Sequence, residues 1–352
     1  AVVIASIVSV ATGSSWTTSA TIGVALVAIG EAIGLPRGMI AGAVISGAYF
    51  GDKMSPLSDT TNLAAAMAGT KLFTHIKYMA YTTAPSIIIT IIVFVIISFT
   101  HESQLISGTD EMLAAVTEKF VITPWLFMVP LAVVVLIVAK VNPLIALSVG
   151  VILGLLAAYF YQPQLFVEMP SKLSFLSKST YHGIGLSSSS TQLQGLFEAK
   201  GIVGMFWTIL LIICAMIFGG VMDAIGALAR ISQALLSIAT SVFGLFASTV
   251  ASCLALNVTA SDQYLAIVVP GKMFEKAYAD KGLAPENLSR TLEDSGTVTS
   301  VLIPWNTCGA YQHATLGVRV EDYALYAVFN YISPFMTLLF AAFKIKIAQL
   351  RK

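Results

Sequence analysis

Three charged residues interrupt an apolar part of the chain in the stretch AYFGDKMSPLSDTTN, residues 48–62. They are Asp52, Lys53 and Asp59, and apolar runs precede and follow them. An ionised side chain at the centre of a bilayer costs at least about 2.5–3.5 kcal/mol. Pro56 lies in the same stretch, and a proline interrupts a helix and frees backbone carbonyls. The stretch is therefore predicted to line a wet or ion-occupied cavity within a membrane.

The composition of the whole chain is typical of a membrane protein. Hydrophobic residues make up 57% of it and charged residues 11%, and the mean hydropathy is +0.86. An average soluble domain has roughly 45–50% apolar and about 25% charged residues. Several apolar runs could cross about 30 Å of hydrocarbon, which predicts an all-α, polytopic transmembrane helical bundle. The net charge of +1 indicates no nucleic-acid partner, and the three cysteines have no spacing typical of disulfides or zinc sites.

The two halves of the chain show the same order of polar breaks. A small-residue break at 12–18 is followed by the break around Asp52, and a break at 257–263 is followed by one around Asp294. Interrupted apolar segments at corresponding places in two halves are typical of transporters built from repeats.

We predict an N-terminal repeat over 1–123, truncated at its start, and a C-terminal repeat over 124–352. A polar connection at 161–200 is expected to hold a short amphipathic helix or a mobile link. With the basic C-terminus in the cytoplasm, the broken segments around Asp52 and Asp294 run in opposite directions, as an inverted-topology repeat with broken or re-entrant helices requires. A basic loop is expected around Lys71, His75 and Lys77, and full spans are expected at 78–99, 124–139, 142–160, 202–222, 231–256 and 323–343.

The polar breaks offer oxygen ligands of the kind that Na+ prefers. Loss of water favours the protonated form of a carboxyl group and a bound cation favours the ionised form, so one buried aspartate can hold either H+ or Na+. We expect Asp52, Asp59 and Asp294 to bind Na+, and these three with Asp262 to bind the exchanged ion or proton. Hydroxyl and amide groups at the breaks are candidate supporting ligands, although each alone is more typical of helix packing. These residues are Ser14, Ser15, Thr17, Ser55, Ser58, Thr60, Asn62, Asn257, Thr259, Ser261, Ser295, Thr297 and Asn306.

Four further residues are candidates for a role at or near the site. Glu293 either belongs to the site with Asp294 or faces the cytoplasm. Lys53 either takes part in the function of the site or neutralises a neighbouring aspartate. His313 is a structural histidine or a proton relay, and His75 is a candidate pH-sensing group.

Three motifs carry a resemblance to a known family. The chain resembles the NhaC family of sodium/proton antiporters, within the ion-transporter superfamily, at GDKMSPLSDTTN (51–62), NVTASDQ (257–263) and EDSGT (293–297). The resemblance implies inverted repeats, a bacterial inner-membrane location and secondary active export of Na+ in exchange for H+ by alternating access. It implies a transporter without a cofactor and not an enzyme, with Na+ and H+ as partners and oligomers allowed. The site residues above are inferred from the chain itself.

Three other functions fit parts of the sequence. Some relatives in this superfamily exchange malate and protons for lactate and Na+; Lys53 could hold such a carboxylate, but no arginine lies in a polar break. An intramembrane aspartyl protease is disfavoured because Tyr49-Phe50-Gly51-Asp52 lacks the first glycine of the Gly-x-Gly-Asp motif. A channel is disfavoured because duplicated breaks suit moving repeats better than a continuous pore.

Overall fold

The computed structural model describes residues 1–100, 116–139, 141, 143–166, 171–185, 198–199 and 201–350. Nearly all of these residues are helical, which confirms the predicted all-α class. The chain forms two compact units, and the candidate site lies in the one formed by Ala1–Val27, Arg37–Glu102 and Thr208–Lys352. The other unit comprises Ala28–Pro36 and Ser103–Trp207.

The elements of the first part of the chain are helical up to a small hairpin. In order they are α1 (Val2–Thr12), α2 (Ser15–Thr18), a π-helical turn (Ser19–Gly23), α3 (Val24–Ala32), α4 (Arg37–Met54), α5 (Asp59–Ala68), α6 (Leu72–Thr100), a 3-10 turn (Pro124–Phe127), α7 (Met128–Val138), α8 (Pro143–Tyr161), a 3-10 turn (Pro163–Phe166) and α9 (Lys172–His182). Strands β1 (Ile184–Gly185) and β2 (Glu198–Ala199) pair antiparallel, with Ile184 opposite Ala199.

The second part continues with helices only. In order they are α10 (Gly201–Gly204), α11 (Phe206–Ala224), α12 (Ala227–Ser237), α13 (Val242–Thr259), α14 (Gln263–Asp280), α15 (Pro285–Leu292), a π-helical turn (Glu293–Thr297), a 3-10 turn (Ser300–Leu302), α16 (Thr307–Leu316), α17 (Val320–Tyr323), a 3-10 turn (Ala324–Tyr326) and α18 (Val328–Ala342). The core of the site-bearing unit lies between α5, α13, α14 and α15, where Leu245, Phe274 and Leu292 are fully buried.

Several helices are long and apolar enough to cross a membrane. Within the described ranges these are Leu72–Phe99, Phe206–Ala224 and Val242–Thr259, and a fourth span is possible if Val320–Tyr326 and Val328–Ala342 form one span bent by 53°. Shorter apolar helices accompany them. The lipid-spanning, multi-helix class predicted from composition is therefore confirmed.

Two predicted spans differ from the structure. The span expected at 231–256 is wrong, because α12 ends at Ser237 and α13 begins at Val242. The Ser241 hydroxyl caps α13 by accepting the Gly244 N–H at 2.9 Å, and Lys281 donates to the carbonyl of Thr240. The polar groups of this short break are thereby satisfied. The span expected at 323–343 is bent, since the helix before Ala327 and the one after it meet at 53°.

The polar stretches also take partly different forms. The basic loop expected around His75 is wrong, because α6 begins at Leu72 and His75 is fully buried in its first turn. The short helix expected within 161–200 is present as α9, while residues 167–170, 186–197 and 200 lie outside the described residues. The acidic residues of 101–115 also lie outside them.

The break expected at Asp294 is a π-helical turn rather than unwound chain. Asp294 lies in the turn Glu293–Thr297, which continues α15 without a gap. A π turn inserts one extra residue per turn and is frequent at functional sites. The chain departs from helix only after Leu302, ahead of α16. In the first half, α4 likewise continues through Asp52 and ends at Met54.

Backbone conformation places the two halves in one register. Three residues with left-handed backbone in the first half each have a left-handed counterpart 248 positions later. Two residues that cap the following helix repeat at the same spacing (262 − 14 for the first pair). Residues with positive φ are rare outside turns, so their repetition at one spacing indicates a structural repeat. The left-handed pairs are Gly13 and Ser261, Gly34 and Gly282, and Gly69 and Gly317. The capping pairs are Ser14 and Asp262, and Ser58 and Asn306.

Tertiary contacts repeat with the same spacing. Ser9 Oγ donates to the carbonyl of Ala48 on α4, and Asn257 Nδ2 donates to the carbonyl of Gly296 at 2.7 Å. Each contact ties the helix before the first break of its half to the helix that carries an acidic residue. The register therefore covers packing as well as backbone, in agreement with the predicted repeat. The boundary predicted between residues 123 and 124 stays a prediction.

The register also shows that the two acidic motifs are not equivalent. Asp52 corresponds to Ser300, and Asp294 corresponds to Ser46. The true counterpart of the break after Asp52 is the break before α16, where Pro56 corresponds to Pro304. Each half thus contributes acidic groups that the other half lacks, and the site is asymmetric.

Candidate ion-exchange site

A buried ion pair joins the two halves. Lys53 in the last turn of α4 donates through Nζ to Oδ1 of Asp294 in the π turn, and both side chains are fully buried. The Lys53 ammonium also lies 5.5 Å from the ring centroid of Phe329 on α18. The interpretation of Lys53 as the partner of a neighbouring aspartate therefore agrees with the structure.

The second oxygen of Asp294 is fully occupied as well. Thr82 Oγ1 on α6 donates to Oδ2 at 2.8 Å, and Thr337 Oγ1 on α18 donates to the same atom. Asp294 is held by one cation and two hydroxyls. Such a carboxylate is balanced in charge and in hydrogen bonding, as a buried ion requires.

Glu293, the neighbour of Asp294, is only half satisfied. Its side chain is fully buried, and Oε1 accepts a hydrogen bond of 3.1 Å from Thr60 Oγ1 on α5. Oε2 has no hydrogen-bond partner in the described part of the chain. Thr297 lies near this carboxyl group, and its own hydroxyl is buried without a partner. A buried carboxyl oxygen of this kind is costly unless a proton or a cation occupies it.

Asp52 repeats this half-satisfied arrangement from the other half. Its side chain is 5% exposed, and Oδ2 accepts the backbone N–H of Ser15 at 2.9 Å. Oδ1 has no hydrogen-bond partner within the described ranges. The hydroxyls of Ser15 and Ser58 lie near the same carboxyl group. The N–H of Ser15 is free to donate because it belongs to the first turn of α2.

The two half-satisfied carboxyl groups act on each other. An ionised Asp52 near the end of α4 acts on Glu293 in the π turn as a like charge. Two nearby carboxylates cannot both stay ionised in a buried place without cost. A bound proton or Na+ relieves both the repulsion and the unpaired oxygens. The arrangement can therefore hold either H+ or Na+. The state in which neither ion is bound is disfavoured.

Two predicted ion ligands, Asp59 and Asp262, lie in surroundings unlike those of Asp52 and Glu293. Asp59 is exposed at the start of α5, where Oδ1 accepts the N–H of Thr60 and Oδ2 accepts the Tyr264 hydroxyl at 2.6 Å. It still acts electrostatically on Asp52. Asp262 is the N-cap of α14, and its Oδ1 accepts the N–H groups of Tyr264 and Leu265. Among the described residues no three acidic, histidine or cysteine side chains form a metal cluster. Na+ binding by Asp59 and Asp262 stays a prediction.

Most of the predicted supporting ligands have identifiable hydrogen-bonding roles. Ser14 and Asn306 cap helices, Thr259 and Ser295 bond back to their own helices, and Asn62 donates to the carbonyls of Pro56 and Ser58. The remaining residues fall into two groups. Those near the acidic groups are Ser15, Ser58, Thr60 and Thr297, and those placed elsewhere at the breaks are Thr17, Ser55, Asn257 and Ser261.

Three residues of the site were not predicted from the sequence as ligands. Glu293 was left open between the site and the cytoplasm, and Thr82 and Thr337 were not singled out. Glu293 could have been found from its position beside Asp294 in an apolar context. Thr82 and Thr337 are single hydroxyls in apolar spans, and no sequence signal separates them from packing residues.

Comparison with known proteins gives a consistent picture. Residues 47–345 match the family model described as the Na+/H+ antiporter family. The chain is 40% identical to the Na+/H+ antiporter NhaC of Alkalihalophilus pseudofirmus over 95% of its own length and 71% of that protein. It is 35% identical to the Na+/H+ antiporter NhaC of Bacillus subtilis, over 95% of the chain and 73% of that protein. A Malate-2H+/Na+-lactate antiporter of Bacillus subtilis is 33% identical, over 97% of the chain and 70% of that protein. No solved structure matches the chain significantly.

Proposed function

The chain belongs to the Na+/H+ antiporter family, and from this premise we propose that Asp52 and Glu293 together form the site where Na+ and H+ replace each other. The protein is a multi-pass antiporter of the cell membrane that exchanges Na+ for H+, with both ions as its substrates. Alternating access of the two repeats to the two sides of the membrane carries each ion across.

One observation carries the proposal. Asp52 Oδ1 and Glu293 Oε2 are buried and lack hydrogen-bond partners in the described part of the chain, and an ionised Asp52 would disfavour ionisation of Glu293. Na+ would take these oxygens with the hydroxyl of Thr60 and its neighbours, which are the ligand types that a hard cation prefers. A proton bound to one of these oxygens would remove its negative charge and convert it to an O–H group that can donate a hydrogen bond. Because both occupants relieve the same repulsion, each expels the other.

Asp294 has a supporting role in this proposal. Its ion pair with Lys53 removes one negative charge from the cluster without using a transported ion. The pair also fixes the end of α4 against the π turn, and so holds Asp52 near Glu293. Asp294 need not coordinate Na+ directly for the exchange to occur. Replacing it by Asn is still expected to abolish exchange, because Lys53 would then be a buried, uncompensated cation.

The experiment compares substitutions of the two acids with exposed controls. Glu293→Gln and Asp52→Asn keep size and hydrogen bonding but cannot ionise, and each is expected to lower Na+/H+ exchange at least a hundredfold. Glu275→Gln and Asp280→Asn, at exposed positions of α14, are expected to stay within twofold of the native rate. Exchange is read from Na+-dependent fluorescence dequenching in everted membrane vesicles, with membrane insertion checked by immunoblot. Native exchange in either site variant would remove that residue from the mechanism.

A second function, exchange of organic acids coupled to Na+, is less supported. Lys53, the cation expected to hold a carboxylate substrate, is already paired with Asp294 inside the protein. Purified protein in liposomes, given Na+ and pH gradients with and without malate or lactate, separates the two functions. Exchange that needs neither acid supports the Na+/H+ antiporter, and exchange that requires one of them supports the alternative.

A further inference from the structure

A buried histidine contacts α15, the helix that leads into the π turn of Glu293 and Asp294. His75, in the first turn of α6, is fully buried, and its Nδ1 lies 2.8 Å from the hydroxyl of Ser289 on α15. Its other ring nitrogen, Nε2, has no hydrogen-bond partner among the described residues. Histidine is the side chain that most readily takes up and releases a proton near neutral pH.

The contacts of Ser289 allow two tautomers of His75. Ser289 Oγ lies 2.8 Å from His75 Nδ1 and 3.2 Å from the carbonyl of Glu286, and its one hydrogen can point to either. When it points to the Glu286 carbonyl, His75 donates through Nδ1–H and neutral Nε2 is an acceptor without a partner among the described residues. This is the tautomer that can receive a proton at Nε2.

Two helices lead from His75 to the exchange site. On α6, Thr82 follows His75 by seven residues, which is two turns or about 10.5 Å on the same helix face, and Thr82 bonds Asp294. On the facing helix, Glu293 follows Ser289 by one turn. The charged groups that act on His75 are Asp294 and Lys53, of opposite sign. In the other direction, Glu286 is partly exposed to solvent, one turn before Ser289.

The repeat shows that packing does not require an open acceptor at this position. The residue 248 positions after His75 is Tyr323, which is also fully buried. Its hydroxyl donates to the carbonyl of Val301 at 2.8 Å and is satisfied. In the C-terminal half, which itself carries Glu293 and Asp294, the side chain at this position is satisfied, whereas His75 of the N-terminal half leaves Nε2 without a partner among the described residues.

We propose that His75 is a proton relay between the solvent near Glu286 and the carboxyl groups of the exchange site. Nε2 accepts a proton from a hydronium ion, which is left as water, to give the imidazolium. The Nε2–H bond then breaks as the proton passes through intervening water to a site carboxylate, where an O–H bond forms, and neutral His75 is restored. His75 touches a proton in transit but does not bind Na+. This role rests on the proposed function of Asp52 and Glu293.

The test separates proton movement from Na+ movement. Purified protein in liposomes is assayed for Na+/H+ exchange and for 22Na+/Na+ self-exchange at fixed pH, which moves no proton. In His75→Asn the amide nitrogen can still donate to Ser289, but no group can take up a proton. Na+/H+ exchange is expected to fall at least tenfold, and self-exchange is expected to stay within twofold of native. His182→Asn, at the exposed histidine that ends α9, is the matched control and should leave both modes intact.

Two results would overturn the relay. Equal loss of both modes in His75→Asn would mark His75 as structural, and native rates in both modes would show that protons reach the site without it. If His75→Asn does not reach the membrane, His75→Gln is used in the same two assays and judged by the same outcomes. Failure of the proposed function looks different, because Asp52→Asn or Glu293→Gln would then retain Na+/H+ exchange whatever His75 does.

Discussion

Lys53 and Asp294 depend on each other because neither charge has access to water. Removing one member of a buried ion pair typically costs about 3–5 kcal/mol, since the other remains as an uncompensated charge. Lys53→Met is therefore expected to lower the free energy of unfolding by about that amount. The double variant Lys53→Met, Asp294→Asn is expected to recover most of it. Thermal unfolding of purified protein in detergent measures both. Equal destabilisation in the single and double variants would contradict the pair.

The hydrogen bonds that hydroxyl groups donate to Asp294 can be tested separately from the ion pair. Thr82→Val removes a hydrogen bond to a carboxylate and is expected to destabilise the protein by about 1.5–3 kcal/mol. The matched control is Thr90→Val on the same helix, because among the described residues Thr90 Oγ1 bonds only the carbonyl of Ser86 within α6. That change is expected to cost about 1 kcal/mol or less. Equal losses in the same thermal unfolding assay would show that the bond to Asp294 contributes nothing special.

For individual residues, the sequence predicts membership of the site better than it predicts the contacts that each residue makes. Asp52 and Asp294 stand out because charges in apolar segments are expensive. The pairing of Lys53 with Asp294 joins residues 241 positions apart, and no local pattern contains it. Thr82 and Thr337 were missed for the same reason, because they lie 212 and 43 positions from Asp294 in the chain. Asp262 and Asp59 looked similar to Asp52 in sequence, yet one caps a helix and the other is exposed.

Among the elements, α1 and α4 are held unusually close at the residue before Asp52. A Cβ added to Gly51 would lie 2.5 Å from Ser9 Cβ and 2.6 Å from the backbone of α1. Gly51→Ala is therefore expected to push α4 away from α1, to cost about 1–3 kcal/mol and to lower exchange by displacing Asp52. Unfolding temperature and vesicle exchange are both measured.

The control for this change is a glycine in open space. Gly220 on α11 has nothing within 4 Å of an added Cβ. Gly220→Ala is expected to leave exchange unchanged and to be neutral or stabilising by up to about 1 kcal/mol, because alanine favours helix. If Gly51→Ala behaved like Gly220→Ala, close approach of α1 would not position Asp52.

Sequence patterns identified most helices but not their local form. Apolar runs predicted the span within α6 and the region of α11, while the run at 231–256 concealed the break capped by Ser241. Periodicity cannot distinguish one long apolar helix from two short ones when the break is satisfied by a cap. The π turn at Glu293–Thr297 has no sequence signature, because it depends on contacts such as that of Asn257 with the carbonyl of Gly296.

For the whole molecule, the duplicated architecture contrasts with a single, unduplicated set of charges. Backbone turns, helix caps and interhelical hydrogen bonds repeat at one spacing, yet Asp52 and Asp294 correspond to serines. The sequence predicted the repeat from the order of its breaks. Its pairing of the first breaks, 12–18 with 257–263, agrees with the register, but it matched the Asp52 break with the Asp294 break, acid with acid, instead of with the break before α16. Packing, which the sequence alone does not reveal, sets the register. Two repeats that each supply one part of one site can expose it to either side of the membrane in turn.

The most direct test of a shared site is the dependence of Na+ affinity on pH. Purified protein in liposomes is assayed for Na+/H+ exchange over a range of Na+ concentrations, from about pH 6.5 to about pH 8.5. Because a proton and Na+ compete for the same oxygens, the apparent KM for Na+ is expected to rise about tenfold for each tenfold increase in proton concentration where competition dominates. The rate at saturating Na+ should change little in that range. A KM for Na+ that is independent of pH would contradict the shared site.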